Sequence, residues 1–315
     1  MKATTGAFAL TFITSVAAHG FVRSVNVDGA IYPGFNPHMD GELGAKRIVF
    51  GFDASRANVD GTAAITDPNA PGLACNSKPT PPGDKAEARA GSQIEFRWTE
   101  WLPSHRGPIT TYMAPYEGDI AAVDVNKLQF FKIDEEALYA DEQFGEIDDV
   151  PWAVKPNWAT DKMIQANGVW NVTIPWDIKP GNYVVRHELL ALHFATEHSN
   201  YKSFGIVAPQ FYPSCYHVGI TGNGTATPTG VTFPGTYQPT DPGLIFDIYQ
   251  NKTEYPIPGP AVYLPKGPAP ELEAKEPRII SPTGDPAKDA EYMKAMEGEL
   301  SFYANITNRI YKVGG

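Results

Sequence analysis

The sequence predicts an all-β protein, a β-sandwich with long loops. Short runs rich in β-branched and aromatic residues alternate with clusters of Gly, Pro, Asn and Asp, a pattern typical of strands joined by turns. The chain has 29 glycines and 29 prolines, which favours many turns and few long helices. The clearest predicted strands span residues 21–27, 93–98, 109–113, 128–133, 169–174, 183–192 and 210–220.

Two predicted loops are too long to be plain connections. Residues 32–82 contain no clear strand, so we expect this segment to carry function or to cover a surface. Residues 135–167 form a second long loop, which is acidic around residues 146–149.

The first eighteen residues have the pattern of a secretory signal peptide. Lys2 supplies a basic start, residues 7–16 form a short apolar stretch, and Val16 and Ala18 are small residues at the positions that a signal peptidase reads. The apolar run is shorter than the roughly 20 residues that a membrane-spanning helix needs. We therefore expect an extracellular protein whose first residue is His19.

The composition limits the partners. The formal net charge is −11 at pH 7, which argues against nucleic acid and anionic membranes and fits a neutral substrate. We expect a monomer. Asn171, Asn223, Asn251 and Asn305 begin Asn-X-Thr triplets, which are compatible with N-glycosylation.

The chain has two cysteines, Cys75 and Cys215. An isolated pair in a secreted chain is expected to form one disulfide. The loop that it closes is long, so the bond would stabilise the fold by about 4–5 kcal/mol.

The composition changes after about Tyr263. Residues 264–286 are rich in Pro, Glu and Lys and are predicted to be a linker, and residues 287–313 are compatible with one short helix. The predicted organisation is a signal peptide over residues 1–18, a catalytic domain over 19–263 and a C-terminal segment over 264–315.

His19 stands out among the seven histidines because of its position. An N-terminal histidine offers its α-amine and its ring Nδ1 to the same metal ion. The amine has a pKa of about 7.7–8.0 and can lose its proton to a metal near neutral pH. A second imidazole would complete a planar set of three nitrogens, which suits Cu(II) better than tetrahedral zinc.

Several segments carry a family resemblance. They read His-Gly-Phe-Val from His19, Trp-Leu-Pro-Ser-His-Arg-Gly-Pro over 101–108, Arg-His-Glu-Leu-Leu-Ala-Leu-His over 186–193 and Pro-Gln-Phe-Tyr-Pro-Ser-Cys over 209–215. Together with Asp-Gly-Ala-Ile-Tyr-Pro-Gly over 28–34, they resemble the fungal lytic polysaccharide monooxygenases of auxiliary activity family 9, formerly glycoside hydrolase family 61. The resemblance runs from His19 to about Tyr263.

The resemblance implies an immunoglobulin-like or fibronectin-III-like β-sandwich whose long loops form a flat substrate surface. It implies one copper ion held by His19 and His105, with Tyr212 as its axial ligand. It also implies that His193 and Gln210 form hydrogen bonds with oxygen species at the copper.

The strand pattern agrees with part of this assignment. In a strand, Gln210 and Tyr212 share one face, while Phe211, Pro213 and Cys215 share the other. The alternative interpretation of Gln210 and Tyr212 is an ordinary buried hydrogen-bonding pair.

The neighbouring charged residues have a different expected role. Arg186 and Glu188 lie on the strand face opposite His187 and His193, and we expect a buried structural role for both. We expect His38, His198 and His217 to be ordinary surface or core histidines. His198 lies in the loop over residues 194–208 beside the site, so contact with substrate is the alternative interpretation for it.

Exposed aromatic rings would bind the faces of sugars. Tyr32 and Phe35 lie after the first strand, and Tyr255 and Tyr263 lie near the end of the resemblance. We predict a substrate surface from these four residues, with core or turn packing as the alternative.

The chain departs from the family pattern at two places. Tyr116 and Ile120 stand where many members have a second disulfide. The acidic insertion around residues 146–154 lengthens a loop, so substrate range and the position of oxidation do not carry over from the family.

The implied function is that of a secreted copper-dependent monooxygenase that cleaves cellulose or related β-1,4-glucans at C1 and/or C4. It would need an external electron donor, either a small reductant or a redox enzyme, and H2O2 or O2. One alternative is a non-catalytic copper-binding protein with the same two histidines. Another is a cell-wall-loosening module without copper. No hydrolase motif supplies the paired carboxylates that glycoside hydrolysis requires.

Overall fold

A computed structural model describes residues 20–35, 46–53, 64–146, 154–196, 207–281, 283–285 and 287–289. The predictions for the signal peptide, His19, His38, His198, Asn305 and most of the C-terminal helix lie outside the described residues. Within them, no helix has the length and apolar character needed to cross a bilayer.

Two five-stranded sheets form the fold, which confirms the predicted all-β sandwich. The first sheet has the order β10-β2-β1-β4-β7, and the second has the order β3-β9-β8-β5-β6. The strands are β1 (Val22–Val27), β2 (Ala30–Pro33), β3 (Ala86–Arg89), β4 (Gln93–Trp98), β5 (Ile109–Tyr116), β6 (Phe131–Glu136), β7 (Val169–Thr173), β8 (Gly181–Ala191), β9 (Gln210–Thr221) and β10 (Arg278–Ile279). In the described part of the chain, a short helix, α1, spans Ala159–Gln165, and 3-10 turns span Pro71–Leu73, Ile120–Ala122 and Val125–Lys127.

Alternating side chains build the core between the sheets. In β4, Ile94, Phe96 and Trp98 are buried, whereas Gln93 faces solvent, as a strand with one buried face requires. Tyr216 of β9 contacts Phe96 from the opposite sheet.

The second sheet is also covered on its outer face. A second apolar cluster there contains Phe50, Leu73, Phe211, Phe233 and Tyr237. Loop backbone is hydrogen-bonded to β9, for example Phe50 N to Cys215 O at 2.9 Å and Ile65 N to Phe211 O at 3.0 Å. The described parts of the long loop over residues 32–82 therefore cover a surface, one of the two expected roles.

The elements differ from the sequence prediction in several places. The turn at Asp28 and Gly29, both with positive φ, joins β1 to the unpredicted strand β2 as a tight hairpin. The predicted strand over 128–133 begins at Phe131, because two turns capped by Asp119 and Asp124 precede it. Helix α1 lies inside the predicted loop over 135–167, and β3 and β10 were not predicted.

The predicted disulfide between Cys75 and Cys215 is present, with 5.3 Å between the Cα atoms. It attaches the turn at residues 71–75 to β9. Arg186 strengthens the same attachment, because its buried guanidinium donates to Leu73 O at 2.8 Å and to Ala74 O at 3.0 Å. The Arg186 side chain also pairs with the buried Glu188, so both residues have the expected structural position.

Residues 264–281 lie against the first sheet. The Trp176 indole donates to Lys266 O at 3.1 Å, and Arg278 N donates to Gly29 O at 2.9 Å. Strand β10 then pairs in parallel with β2. The division of the chain at Tyr263 stays a prediction, but this segment contacts the sandwich along much of its length.

A buried carboxylate holds the same segment. Asp28 accepts hydrogen bonds from Arg89 Nη2 at 2.7 Å and from Lys275 Nζ at 2.6 Å. Burial by itself would raise the pKa of Asp28, but the hydrogen bonds from Arg89 and Lys275 outweigh burial and hold the pKa below its usual range.

Replacement of Asp28 by Asn should therefore destabilise the protein in a pH-dependent way. A carboxyl group whose pKa is lowered on folding stabilises the fold above its unfolded pKa of about 3.9, and this contribution is lost as the pH falls further. We expect Asp28→Asn to lower the free energy of unfolding by about 1–3 kcal/mol at pH 6. The difference from wild type should shrink below about pH 4. Denaturant unfolding at pH 3, 4 and 6 measures this, and a difference that does not vary with pH would contradict it.

Removal of the disulfide should have a larger effect at all pH values. The double variant Cys75→Ala and Cys215→Ala opens a loop with a sequence separation of 140 residues. We expect it to lower the free energy of unfolding by about 4 kcal/mol. Guanidinium titration under identical conditions checks this, and a loss below about 1 kcal/mol would show that the other loop contacts suffice.

Candidate metal centre

Two of the predicted site histidines lie side by side. The rings of His105 and His193 have centroids 3.9 Å apart and planes inclined by 37°. Both residues are buried, with 5% and 3% of their surface exposed. His105 precedes β5 and His193 follows β8, and these strands pair antiparallel, so the two histidines meet at one end of the second sheet.

A tight turn fixes His105. Its backbone N–H donates to Leu102 O at 2.9 Å, and the Trp101 indole donates to His105 O at 2.9 Å. Ser104 Oγ lies 3.0 Å from His105 Nδ1. When Nδ1 donates its hydrogen to Ser104, Nε2 carries the lone pair that a metal needs.

Tyr212 and Gln210 reach the same end from β9. The Tyr212 hydroxyl donates to Gln210 Oε1 at 2.8 Å, and both residues are buried. This hydrogen bond shows that the two side chains share a strand face, as the alternation predicts. Phe211 and Cys215 point to the other face, where Phe211 joins the outer cluster and Cys215 forms the disulfide.

Trp101 joins the two groups of side chains. Its ring contacts Tyr212 edge-on with centroids 4.9 Å apart, and its ring centroid lies 5.9 Å from that of His105. Gly20 also lies against Trp101, because a Cβ on Gly20 would come within 3.1 Å of Trp101 Cε3. The first described residue of the chain is therefore at the edge of this site.

The donor set fits copper in part. Among the described residues, no group of three or more His, Cys, Asp and Glu side chains could by itself hold a metal ion. His105 offers an imidazole nitrogen and Tyr212 a phenol oxygen, and imidazole ligands suit copper. The predicted ligand His19 lies outside the described residues.

Two other histidines have structural roles. His187 is stacked on Phe96 at 3.9 Å and accepts a hydrogen bond from the Trp98 indole at 3.1 Å. Burial and the nearby Arg186 lower the pKa of His187 to about 3, so its ring is neutral at working pH. Nδ1 of His217 donates to Asp84 O at 3.1 Å.

Tyr116 stands where the family pattern led us to expect a cysteine of a second disulfide. Its hydroxyl lies 2.5 Å from Nε2 of His217. Tyr116 and Ile120 both pack against the outer apolar cluster. The Tyr116 side chain therefore connects this end of β5 to His217 of β9 and to the outer cluster.

The predicted substrate aromatics have different positions. The prediction that Tyr32 belongs to a substrate surface is corrected by its burial. Its side chain is 6% exposed and packs in the core, because β2 turns it inward. Tyr32 therefore cannot present its ring to a polysaccharide. Tyr255 donates to Gly243 O at 2.7 Å, and Tyr263 donates to Asp177 at 2.8 Å. Both are half-buried and make the packing contacts of the alternative interpretation, so their role at a substrate surface stays a prediction.

Phe35 lies close to the site. It packs edge-on against Phe52 with centroids 4.6 Å apart, and both rings line one small cavity with Gly20 and Tyr212. Phe52 was not predicted as a site residue, because it lies in the long loop without a motif around it. Trp101 and Ser104 were not predicted either, although both belong to the segment 101–108 that carries the family resemblance.

Comparison with known proteins identifies the family of this chain. The family model of Auxiliary Activity family 9 (formerly GH61) matches residues 19–255. Lytic polysaccharide monooxygenase F of Malbranchea cinnamomea is 36% identical over 257 residues, which cover 81% of this chain and 95% of the relative. Monooxygenase G of Emericella nidulans is also 36% identical and covers 88% of this chain and 94% of the relative.

Solved structures give the same answer. The extended catalytic domain of H. jecorina LPMO9A superposes with a TM-score of 0.68 at 28% identity, covering 84% of this chain and 99% of that one. A cellulose-active polysaccharide monooxygenase from M. thermophila superposes with a TM-score of 0.63 at 32% identity, covering 78% and 99%. The members of this family are copper-dependent oxidoreductases that act on polysaccharides. The chain therefore belongs to auxiliary activity family 9, the lytic polysaccharide monooxygenases.

Proposed function

We propose that this protein is a secreted, monomeric, copper-dependent monooxygenase that cleaves cellulose or related β-1,4-glucans at C1 and/or C4. It would take electrons from an external donor and use H2O2 or O2 as oxidant. The observation that carries this proposal is the convergence of His105, His193, Gln210 and Tyr212 at one end of the second sheet. The cellulose-active relative from M. thermophila supports a glucan substrate.

The proposed copper ligands are His19, through its amine and ring, His105 and Tyr212. The buried position of Gly20 against Trp101 supports a contribution from the preceding residue. The family match also begins at residue 19. When bound, the copper supplies the one-electron redox chemistry that activates the oxidant. The turn over residues 101–105 holds the His105 ring in one orientation for this ion.

Tyr212 and Gln210 have linked roles in this proposal. The Tyr212 hydrogen is donated to Gln210 Oε1, so the phenol oxygen keeps lone pairs for the metal side. The same hydrogen bond fixes the Gln210 amide, whose N–H groups can then donate to an oxygen species. His193, packed on the His105 ring, is the second proposed donor. Such outer groups orient ligands at a metal and tune it.

The Tyr212–Gln210 hydrogen bond also separates this proposal from the main alternative. A protein that only stores or carries copper needs the metal ligands but not a fixed amide beside them. A buried pair with fixed geometry supports catalysis over simple binding.

The test uses correctly processed, copper-loaded protein with cellulose, ascorbate and a low level of peroxide. Mass spectrometry should find aldonic acids or C4-keto sugars. His105→Ala should lose copper binding and reduce products to background, because it removes a metal ligand. Tyr212→Phe should keep copper and lose about tenfold in rate, since it removes one contact worth about 1.4 kcal/mol.

Two controls sharpen this experiment. One extra glycine before His19 should abolish activity, since the amine would no longer belong to the histidine. Tight copper binding by the wild type without oxidised sugars from cellulose, xyloglucan or xylan would refute the enzyme and leave the copper-binding alternative.

A further inference from the structure

We propose that Asp161, in the first turn of α1, is a positioning residue that acts through Arg106 to hold His105 and His193 in place. The inference rests on the proposed function, because the two histidines matter there as a metal ligand and its neighbour. Asp161 lies within the segment predicted as a loop, and no motif pointed to it.

The contact between the two residues is a buried ion pair. Arg106 Nε donates to Asp161 Oδ1 at 3.0 Å and to Oδ2 at 3.2 Å, and their side chains are only 6% and 3% exposed. Burial of two opposite charges costs desolvation free energy, which is offset only when the pair has good geometry and further hydrogen bonds. The position of Asp161 therefore restricts the position of Arg106 closely.

Arg106 is connected to both histidines through the backbone. It follows His105 directly in the chain. Its carbonyl oxygen accepts a hydrogen bond from Leu192 N at 2.9 Å, and Leu192 directly precedes His193. A shift of Arg106 would move both rings, which lie in contact at 3.9 Å.

Helix α1 holds the next residue from the same side. Gly107 N donates to Thr160 Oγ1 at 3.1 Å. A Cβ at Gly107 would lie 1.8 Å from Leu190 O, so the backbone approaches β8 here at a distance that only glycine permits. The backbone at residues 106–107 is thus packed between α1 and β8.

Asp161 also fixes the start of its own helix. Its Oδ2 accepts a hydrogen bond from Trp158 N at 3.0 Å, which caps α1. The carboxylate joins the helix to Arg106, so the unpredicted helix acquires a role at the site. Asp161 contacts Arg106 and its own helix, and its influence on the rings passes through Arg106.

Asp161→Asn is the informative variant, because it keeps the size of the side chain and can still cap the helix. The Cu(II) electron paramagnetic resonance spectrum should show altered copper hyperfine splitting. The affinity for copper should fall about 10–100-fold, the usual effect of losing a partner behind a metal ligand. In the copper-free protein, the Leu192 amide should exchange its hydrogen faster than in wild type, since its acceptor is on Arg106.

Asp28→Asn is the matched control. Asp28 is also a buried acid in an ion pair, but it follows Val27, about 20 Å along β1 from the end at Val22 that lies near the site. It should lower stability without changing the copper spectrum or the exchange of Leu192. The same spectrum and exchange rate in Asp161→Asn as in Asp28→Asn would overturn the proposal.

Arg106→Gln tests the route of the effect. If Asp161 acts through Arg106, the double variant Arg106→Gln and Asp161→Asn should change copper affinity by less than the product of the two single effects. Independent effects would contradict the route. Arg106→Lys keeps the charge and supplies a folded variant if Asp161→Asn does not fold, and it should show the same faster exchange at Leu192. Wild-type protein that binds no copper would refute the proposed function, whereas the exchange of Leu192 would still test the positioning role.

Discussion

The register of three neighbouring strands in the second sheet determines where the site residues meet. Ile109 of β5 lies opposite Leu189 of β8, which lies opposite Tyr212 of β9. Side chains alternate along a strand, so a slip of one residue would turn Tyr212 away from the site and bring Phe211 into its place. The rest of the centre depends on this register, because His105 and His193 follow from where β5 begins and β8 ends.

Interactions on the outer face of the same sheet keep that register. Tyr112, Arg186 and Cys215 form a row across the three strands, farther from the site than Ile109 and Tyr212. The disulfide of Cys215 and the hydrogen bonds of Arg186 attach this row to the turn over residues 71–75. The turn over residues 71–75 carries no proposed site residue, but it contributes to the geometry of the metal centre by fixing the outer face of this sheet.

The sequence was sufficient to predict those features of the fold and the site that depend on local patterns. The β-branched and aromatic runs predicted most of the strands, the alternation along residues 210–215 predicted the shared face of Gln210 and Tyr212, and the single pair of cysteines predicted the disulfide. It was insufficient where contacts between residues far apart in the chain determine the position of a side chain or a helix. Tyr32 was predicted at a surface because it follows the first strand, but the hairpin at Asp28 and Gly29 places it in β2 with its ring in the core. Helix α1 is short and is fixed by Asp161 and its contacts to residues 106–107, which no local periodicity reveals.

Strand β10 gives the first sheet a further property. Without it, β2 would be an edge strand with unpaired N–H and C=O groups, and such an edge can recruit a strand from another molecule. The chain covers this edge with its own Arg278 and Ile279, held by the contact of Lys275 with Asp28. Residues 264–281 therefore shield part of the β2 edge from pairing with another molecule, and this shield depends on the charge that Asp28 presents to Lys275.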